Sequence, residues 1–299
     1  ASNPPNPAKL YKKVFGPLNQ LHITILLSFL LVPVLYFMII YNNVVGILLI
    51  FTFAYVGYTL IKGGIEGGKI LRDRMIIFII LCLFNIVFWA LFEQAGSSLT
   101  LFADRNVDRN VFGLFEMTAG QTQFFNPFFI ILMGSLFSVL WVKLSERNLN
   151  PNIPAKFGFG IILLGIGYLI TRFGYSTHNE AFLVPLWIIV GIYFFHTVGE
   201  LFISPIGLSM VTKLAPERLT GTLMGAWFLS FSGSNFLAGQ LAKLTGAGGA
   251  VEAGMVATGP ESLNRYIEVY SVFGWIAIGT GLLVLLLSPK LNKLMHGIK

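Results

Sequence analysis

Long apolar runs separated by short polar breaks make up most of this chain, and that pattern predicts membrane-crossing helices. Eight runs, near 22–41, 44–62, 75–103, 124–143, 156–175, 182–213, 219–244 and 266–288, are long enough to span a bilayer. A spanning helix needs about 20 such residues, at 1.5 Å each, to cross roughly 30 Å of hydrocarbon. The stretch from Met75 to Phe84 is apolar at every position. A membrane β-strand would instead alternate apolar and polar residues over about 10 positions. The expected fold class is an all-α membrane protein of about eight transmembrane helices.

The polar segments divide this pattern. Residues 1–20 are Pro-rich and carry Lys9, Lys12 and Lys13, which predicts a basic linker. The chain opens Ala1-Ser2-Asn3-Pro4-Pro5, with no initiator Met and no charged-then-apolar leader, as expected of a processed chain or a fragment. Asn42 and Asn43 alone separate the first two runs, and neither run has an acidic or basic residue in its core. The expected organisation is therefore a helical hairpin over 21–62 followed by a six-helix bundle over 70–299.

Composition supports the membrane reading, since 55% of residues are hydrophobic and only 11% charged, with a mean hydropathy of +0.77. A soluble domain carries about 25% charged residues. The net charge of +7 could suggest nucleic acid, but its placement indicates topology. The tail, the segments 62–74, 143–156 and 213–218, and the C-terminus hold 15 of the 20 Lys and Arg residues. All of these fall on one side of the predicted spans, so both termini are expected to be cytoplasmic. There is no basic stripe interleaved with aromatics, and no nucleic-acid partner is expected.

Two acids, Glu93 and Glu200, fall inside spans. A carboxyl there must face water, pair with another group, or take up a proton. Each reads as a proton relay or substrate anchor, or else as a carboxyl tied between helices. Trp89 lies one turn before Glu93 and shares its helix face. His196 precedes Glu200 by a turn, either as a proton partner or as a simply hydrogen-bonded side chain, and Pro205 follows where it should loosen the helix. Asn126 opens the fourth run, where its amide either bonds a ligand or caps the helix. Trp227 follows Gly221 and Gly225, whose small-xxx-small spacing, like that of Ser230 and Ser234, suits helix packing.

Other chemistry finds little support. Gly63 to Lys69 matches G-x-x-x-x-G-K, yet Ile70 stands where a magnesium-binding Ser or Thr belongs, and the segment is expected to be a flexible basic loop. The four histidines form no metal-ligand spacing, Cys82 has no partner for a disulfide, and no hydrolase elbow is present. No metal, cofactor or enzymatic activity is expected.

The strings Phe88-Trp89-Ala90-Leu91-Phe92-Glu93-Gln94, Gln123-Phe124-Phe125-Asn126-Pro127, Gly199-Glu200-Leu201-Phe202-Ile203-Ser204-Pro205-Ile206-Gly207 and Gly225-Ala226-Trp227-Phe228-Leu229-Ser230 occur in this order. Together they resemble the proton-dependent oligopeptide transporters of the major facilitator superfamily. The resemblance implies a C-terminal six-helix bundle preceded by the helical hairpin that bacterial members insert. It implies that Trp89, Asn126, Glu200 and Trp227 line a pocket for di- and tripeptides, and that Glu93 and Glu200 couple proton movement to gating. It also implies a bacterial inner-membrane location and work by alternating access.

The sequence departs from the family in two respects. The N-terminal six-helix bundle, with its E-x-x-E-R motif and basic residues, is missing, so the chain is expected to be half of a transporter. Phe231 also stands where the family often has a small polar residue. The competing readings are half of another major facilitator branch, for amino acids, nitrate or sugar, and a membrane scaffold or enzyme subunit.

Overall fold

The computed structural model describes residues 10–246 and 259–298; residues 1–9 of the expected 1–20 linker, Lys9 among them, lie outside the described residues. Eight long helices follow one another: α1 (Gln20–Ile40), α2 (Asn42–Glu66), α3 (Lys69–Phe92), α4 (Phe125–Glu146), α5 (Ile153–Leu169), α6 (Trp187–Leu214), α7 (Thr220–Leu244) and α8 (Pro260–Leu294). Among the described residues, seven helical stretches are long and apolar enough to cross a membrane. The exception is α7, where Ser230, Ser232, Ser234, Asn235 and Gln240 dilute the hydropathy.

The chain divides into two compact units, Ala1–Thr52 and Phe53–Lys299. In the first unit, strands β1 (Lys13–Phe15) and β2 (Leu18–Asn19) form a small antiparallel hairpin leading into α1. Asn19 caps that helix, its Oδ1 accepting the His22 N–H at 2.9 Å. The expected Asn42–Asn43 turn is corrected to Tyr41. The Tyr41 N–H still bonds the Phe37 carbonyl at 2.9 Å, and the two asparagines open α2.

In the second unit, α5 packs between α8 and α6, α3 pairs with α7, and α4 leans on α6. Glycine sets the closest approaches. A Cβ added at Gly165 would come within 2.7 Å of the Gly274 carbonyl oxygen, and one at Gly281 within 2.7 Å of the Gly158 carbonyl. The seven-residue spacing on both helices keeps α5 and α8 in antiparallel register. On the opposite side of α5, Gly160 and Gly199 face each other in the same manner. Small residues let helix backbones approach where lipid offers no hydrophobic drive to bring them together.

Two predicted runs are interrupted. The run 75–103 breaks at a 3₁₀ turn, Glu93–Gly96, before resuming as the helix Ser98–Asn106. Side chains absorb the backbone groups freed there: Tyr168 Oη donates to the Leu91 carbonyl at 2.6 Å. Gln94 Nε2 donates to the carbonyls of Ala90 at 3.1 Å and Ala238 at 3.0 Å. An interruption at membrane depth persists only where its polar groups find such partners. The run 156–175 likewise leaves α-helical geometry at Ile170–Phe173.

At one end of the unit, strand β3 (Val107–Asp108) is followed by the hairpin of β4 (Asn110–Val111) and β5 (Phe115–Glu116). A further strand, β6 (Val184–Pro185), runs parallel to β3. Arg109 ties this region together through Asp104 and Glu116, both at 3.3 Å. At the other end, the expected flexible loop at 63–70 is corrected to a tight turn. Helix α2 continues through Glu66, Gly68 turns the chain with φ of +86°, and α3 begins at Lys69. Gly63 and Gly64 are buried, and the Gly63 carbonyl accepts Arg218 Nη2 at 3.1 Å. The glycines are packed because Leu219 and Met75 occupy the space a side chain would need.

Candidate substrate site

The site is assembled from α3, α4, α6 and α7. Trp89 on α3 and Trp227 on α7 line a cavity of about 250 Å³ together with Asn85, Ser204, Phe228 and Phe231. The Phe231 ring lies 5.1 Å from that of Trp89 and 6.2 Å from that of Trp227, so the residue that departs from the family pattern closes the gap between the two indoles. Trp227 is 3% exposed and rests on Gly207 of α6, where a Cβ would come within 3.0 Å of its Cε2 and Cη2 atoms. The glycine that ends the Gly199–Gly207 string therefore makes room for the tryptophan of the last string.

Asn126 and Glu200 meet across α4 and α6. Asn126 Nδ2 donates to Glu200 Oε2 at 2.9 Å and to Thr197 Oγ1 at 3.0 Å. Asn126 thus acts as a donor between helices, and its amide caps nothing on α4. Among the described residues no cation pairs with Glu200, and no hydrogen bond or ion pair reaches the Glu93 carboxylate. Glu93 is half-buried at the break after α3.

His196 does not join this pair. Its ring is buried against Tyr168, with centroids 4.6 Å apart, and Phe92, at 6.1 Å. It turns toward α5 because Gly167 leaves room there, where a Cβ would come within 2.6 Å of its Cδ2 atom. The proton partnership of His196 with Glu200 has no hydrogen bond to carry it.

Asn85 is a site residue that the sequence reading missed. It is fully buried, and its Nδ2 donates to Ser230 Oγ at 2.8 Å. Ser230 in turn gives its proton to the Trp227 carbonyl at 2.6 Å, so its oxygen can only accept from Asn85. That chain fixes the amide's orientation and leaves Asn85 Oδ1 buried without a donor on the cavity wall. The available signal was a lone amide one turn before Trp89 in an apolar run. The small-residue spacing of Gly221 and Gly225 does not work as expected: both are exposed with no atom within 4 Å of an added Cβ, while Ser230 and Ser234 are buried.

A broken spanning helix beside an intramembrane acid, an aromatic cavity and a second acid held between helices define a multi-pass helical membrane protein with a central polar site. The profile of the POT family (PTR2) matches residues 69–258. Dipeptide and tripeptide permease A of Edwardsiella piscicida is 36% identical over 256 residues, covering 84% of this chain and 48% of the relative. The permease A of Yersinia pestis is 35% identical over 251 residues, covering 83% and 46%. A crystal structure of a peptide transporter POT in complex with sulfate superposes with a TM-score of 0.72 at 27% identity, covering 92% of this chain and 53% of that one. The chain belongs to the POT family. It spans about half the length of the curated relatives it matches.

Proposed function

We propose that this chain supplies the C-terminal half of a proton-coupled symporter of di- and tripeptides that works by alternating access. The observation that carries the reading is the Glu200 carboxylate, held by Asn126, whose Nδ2 also donates to Thr197 Oγ1, and without a cation in ion-pair reach among the described residues. A zwitterionic peptide presents an ammonium for such a group, while Trp89, Trp227 and Phe231 offer apolar walls to its side chains. The permease names of the relatives agree with this substrate class.

In this reading Glu93 and Glu200 exchange protons as the site changes access, since an unpaired acid inside a membrane protein is retained for such work. A further six-helix bundle supplies the cationic contact for the peptide carboxylate, and the two bundles rock about the site between them. Residues 21–62 form an inserted hairpin that precedes the bundle of residues 70–299 in the chain. The protein sits in a bacterial inner membrane with both termini of this chain cytoplasmic, because the side rich in Lys and Arg stays inside. No cofactor takes part.

The test is dipeptide uptake into liposomes under an inward proton gradient, using the full-length parent and its Glu200→Gln variant. Uptake that requires the gradient and is lost in the variant is expected. Uptake that persists without a gradient would refute the coupling, and no peptide uptake by the parent would point to another major facilitator branch.

A further inference from the structure

A second concavity, of about 320 Å³, lies where the end of α4, the loop 147–152 and the start of α5 meet Asn292 of α8. Its wall carries Ser145, Asn148, Asn150, Asn152 and Lys156. Lys156 is 8% exposed, so its stem is enclosed and its ammonium has little water around it. None of the ion pairs among the described residues involves it. Its ammonium instead sits 4.2 Å from the centre of the Trp141 ring, a partial compensation.

The amide chemistry points in the same direction. Asn152 Oδ1 is already committed, accepting the Ala155 N–H at 2.9 Å and the Ser288 hydroxyl at 3.0 Å. No hydrogen bond among the described residues uses the Asn152 NH₂ group, a donor. A concavity offering the ammonium of a largely enclosed lysine and an amide donor suits an anion. It lies at the end of the unit flanked by the cation-rich segments 143–156 and 213–218. Leu140 and Val142, near the end of α4, and Leu149, in the loop 147–152, are exposed apolar side chains on the elements that form the concavity. A free anion has no use for such exposed apolar side chains, whereas a phosphate attached to acyl chains does.

We propose that this concavity binds the phosphate of an anionic phospholipid headgroup, with Lys156 as the counter-charge and an acyl chain lying against α4. The site is separate from the peptide reading and does not depend on it. Binding is read from thermal unfolding of the full-length protein in neutral detergent with phosphatidylglycerol, phosphatidylcholine or inorganic phosphate. Phosphatidylglycerol is expected to raise the midpoint, and the other two are not. Lys156→Gln should weaken the phosphatidylglycerol effect about tenfold in apparent affinity, the loss expected for one charge-assisted contact. Asn292→Asp, which adds an anion to the wall and keeps the lysine, should do the same and carries the test if Lys156→Gln misfolds. Lys143→Gln, at an exposed lysine of α4, should leave the effect intact. An equal loss in Lys143→Gln would reduce the attraction to diffuse charge and overturn the site. A full response to inorganic phosphate, or a phosphatidylglycerol response untouched in both Lys156→Gln and Asn292→Asp, would overturn the lipid assignment.

Discussion

Replacing Gly207 with alanine should displace Trp227 into the cavity it helps to form. The added Cβ would stand 3.0 Å from two carbons of the indole and closer still to Cζ2. Carbon atoms rest at about 3.5–4.0 Å, so the ring must withdraw by at least ~0.5 Å. Its position gives it little freedom: Trp227 is 3% exposed, with Phe157 at 6.4 Å and Phe231 at 6.2 Å between ring centroids. The open direction is the cavity shared with Trp89. Overpacking of this kind costs about 1–3 kcal/mol. The expected outcome is a lower unfolding midpoint and about tenfold weaker dipeptide binding, which follows from losing about 1.4 kcal/mol of binding energy. Thermal unfolding and quenching of tryptophan fluorescence by dipeptide measure both quantities in the full-length protein. Gly225→Ala is the control, because an added Cβ there meets nothing within 4 Å. Wild-type stability and affinity in Gly207→Ala would refute the packing argument, as would equal losses in Gly225→Ala.

Two further substitutions probe the scaffold. Gly165→Ala places a Cβ 2.7 Å from the Gly274 carbonyl, a backbone atom that cannot swing aside, so its unfolding midpoint should fall further than that of Gly207→Ala. Tyr168→Phe removes the side-chain donor to the Leu91 carbonyl, which keeps only the Glu93 N–H, and should cost about 0.5–1.5 kcal/mol, the net value of one hydrogen bond. Hydrogen exchange should quicken at residues 93–96 in Tyr168→Phe, and unchanged protection there would count against the clamp.

The long apolar runs were legible because membrane burial imposes one requirement over 20 consecutive positions. The first was expected near 22–41 and is found at Gln20–Ile40. The last extends well past its expected limits, to Pro260–Leu294, because helix geometry outlasts the apolar core and admits Asn264, Arg265, Lys290 and Lys293. The break at Glu93–Gly96 was not legible. No proline marks it, and its backbone groups are satisfied by Tyr168 and Gln94 through tertiary contacts. In the site, the tryptophans and Glu200 stood out by residue type, an indole or a carboxyl in hydrocarbon being conspicuous. Asn85 matters through its bond to Ser230, 145 residues away, and Gly207 matters through Trp227, neither of which is written in local spacing. Gly221 and Gly225 have the packing motif without the packing, while Gly158, Gly165, Gly274 and Gly281 have the packing at a seven-residue period.

Helix α1 has no buried residue, and its hydroxyls at Thr24 and Ser28 bond back to its own carbonyls. Apolar all round, it carries the information that sets its depth in a bilayer but none that sets its azimuth. Rotating it about its own axis would present lipid with nearly the same surface at every angle. Substitutions along α1 should therefore act additively, graded by distance from the bilayer midplane and indifferent to which side of the cylinder they occupy.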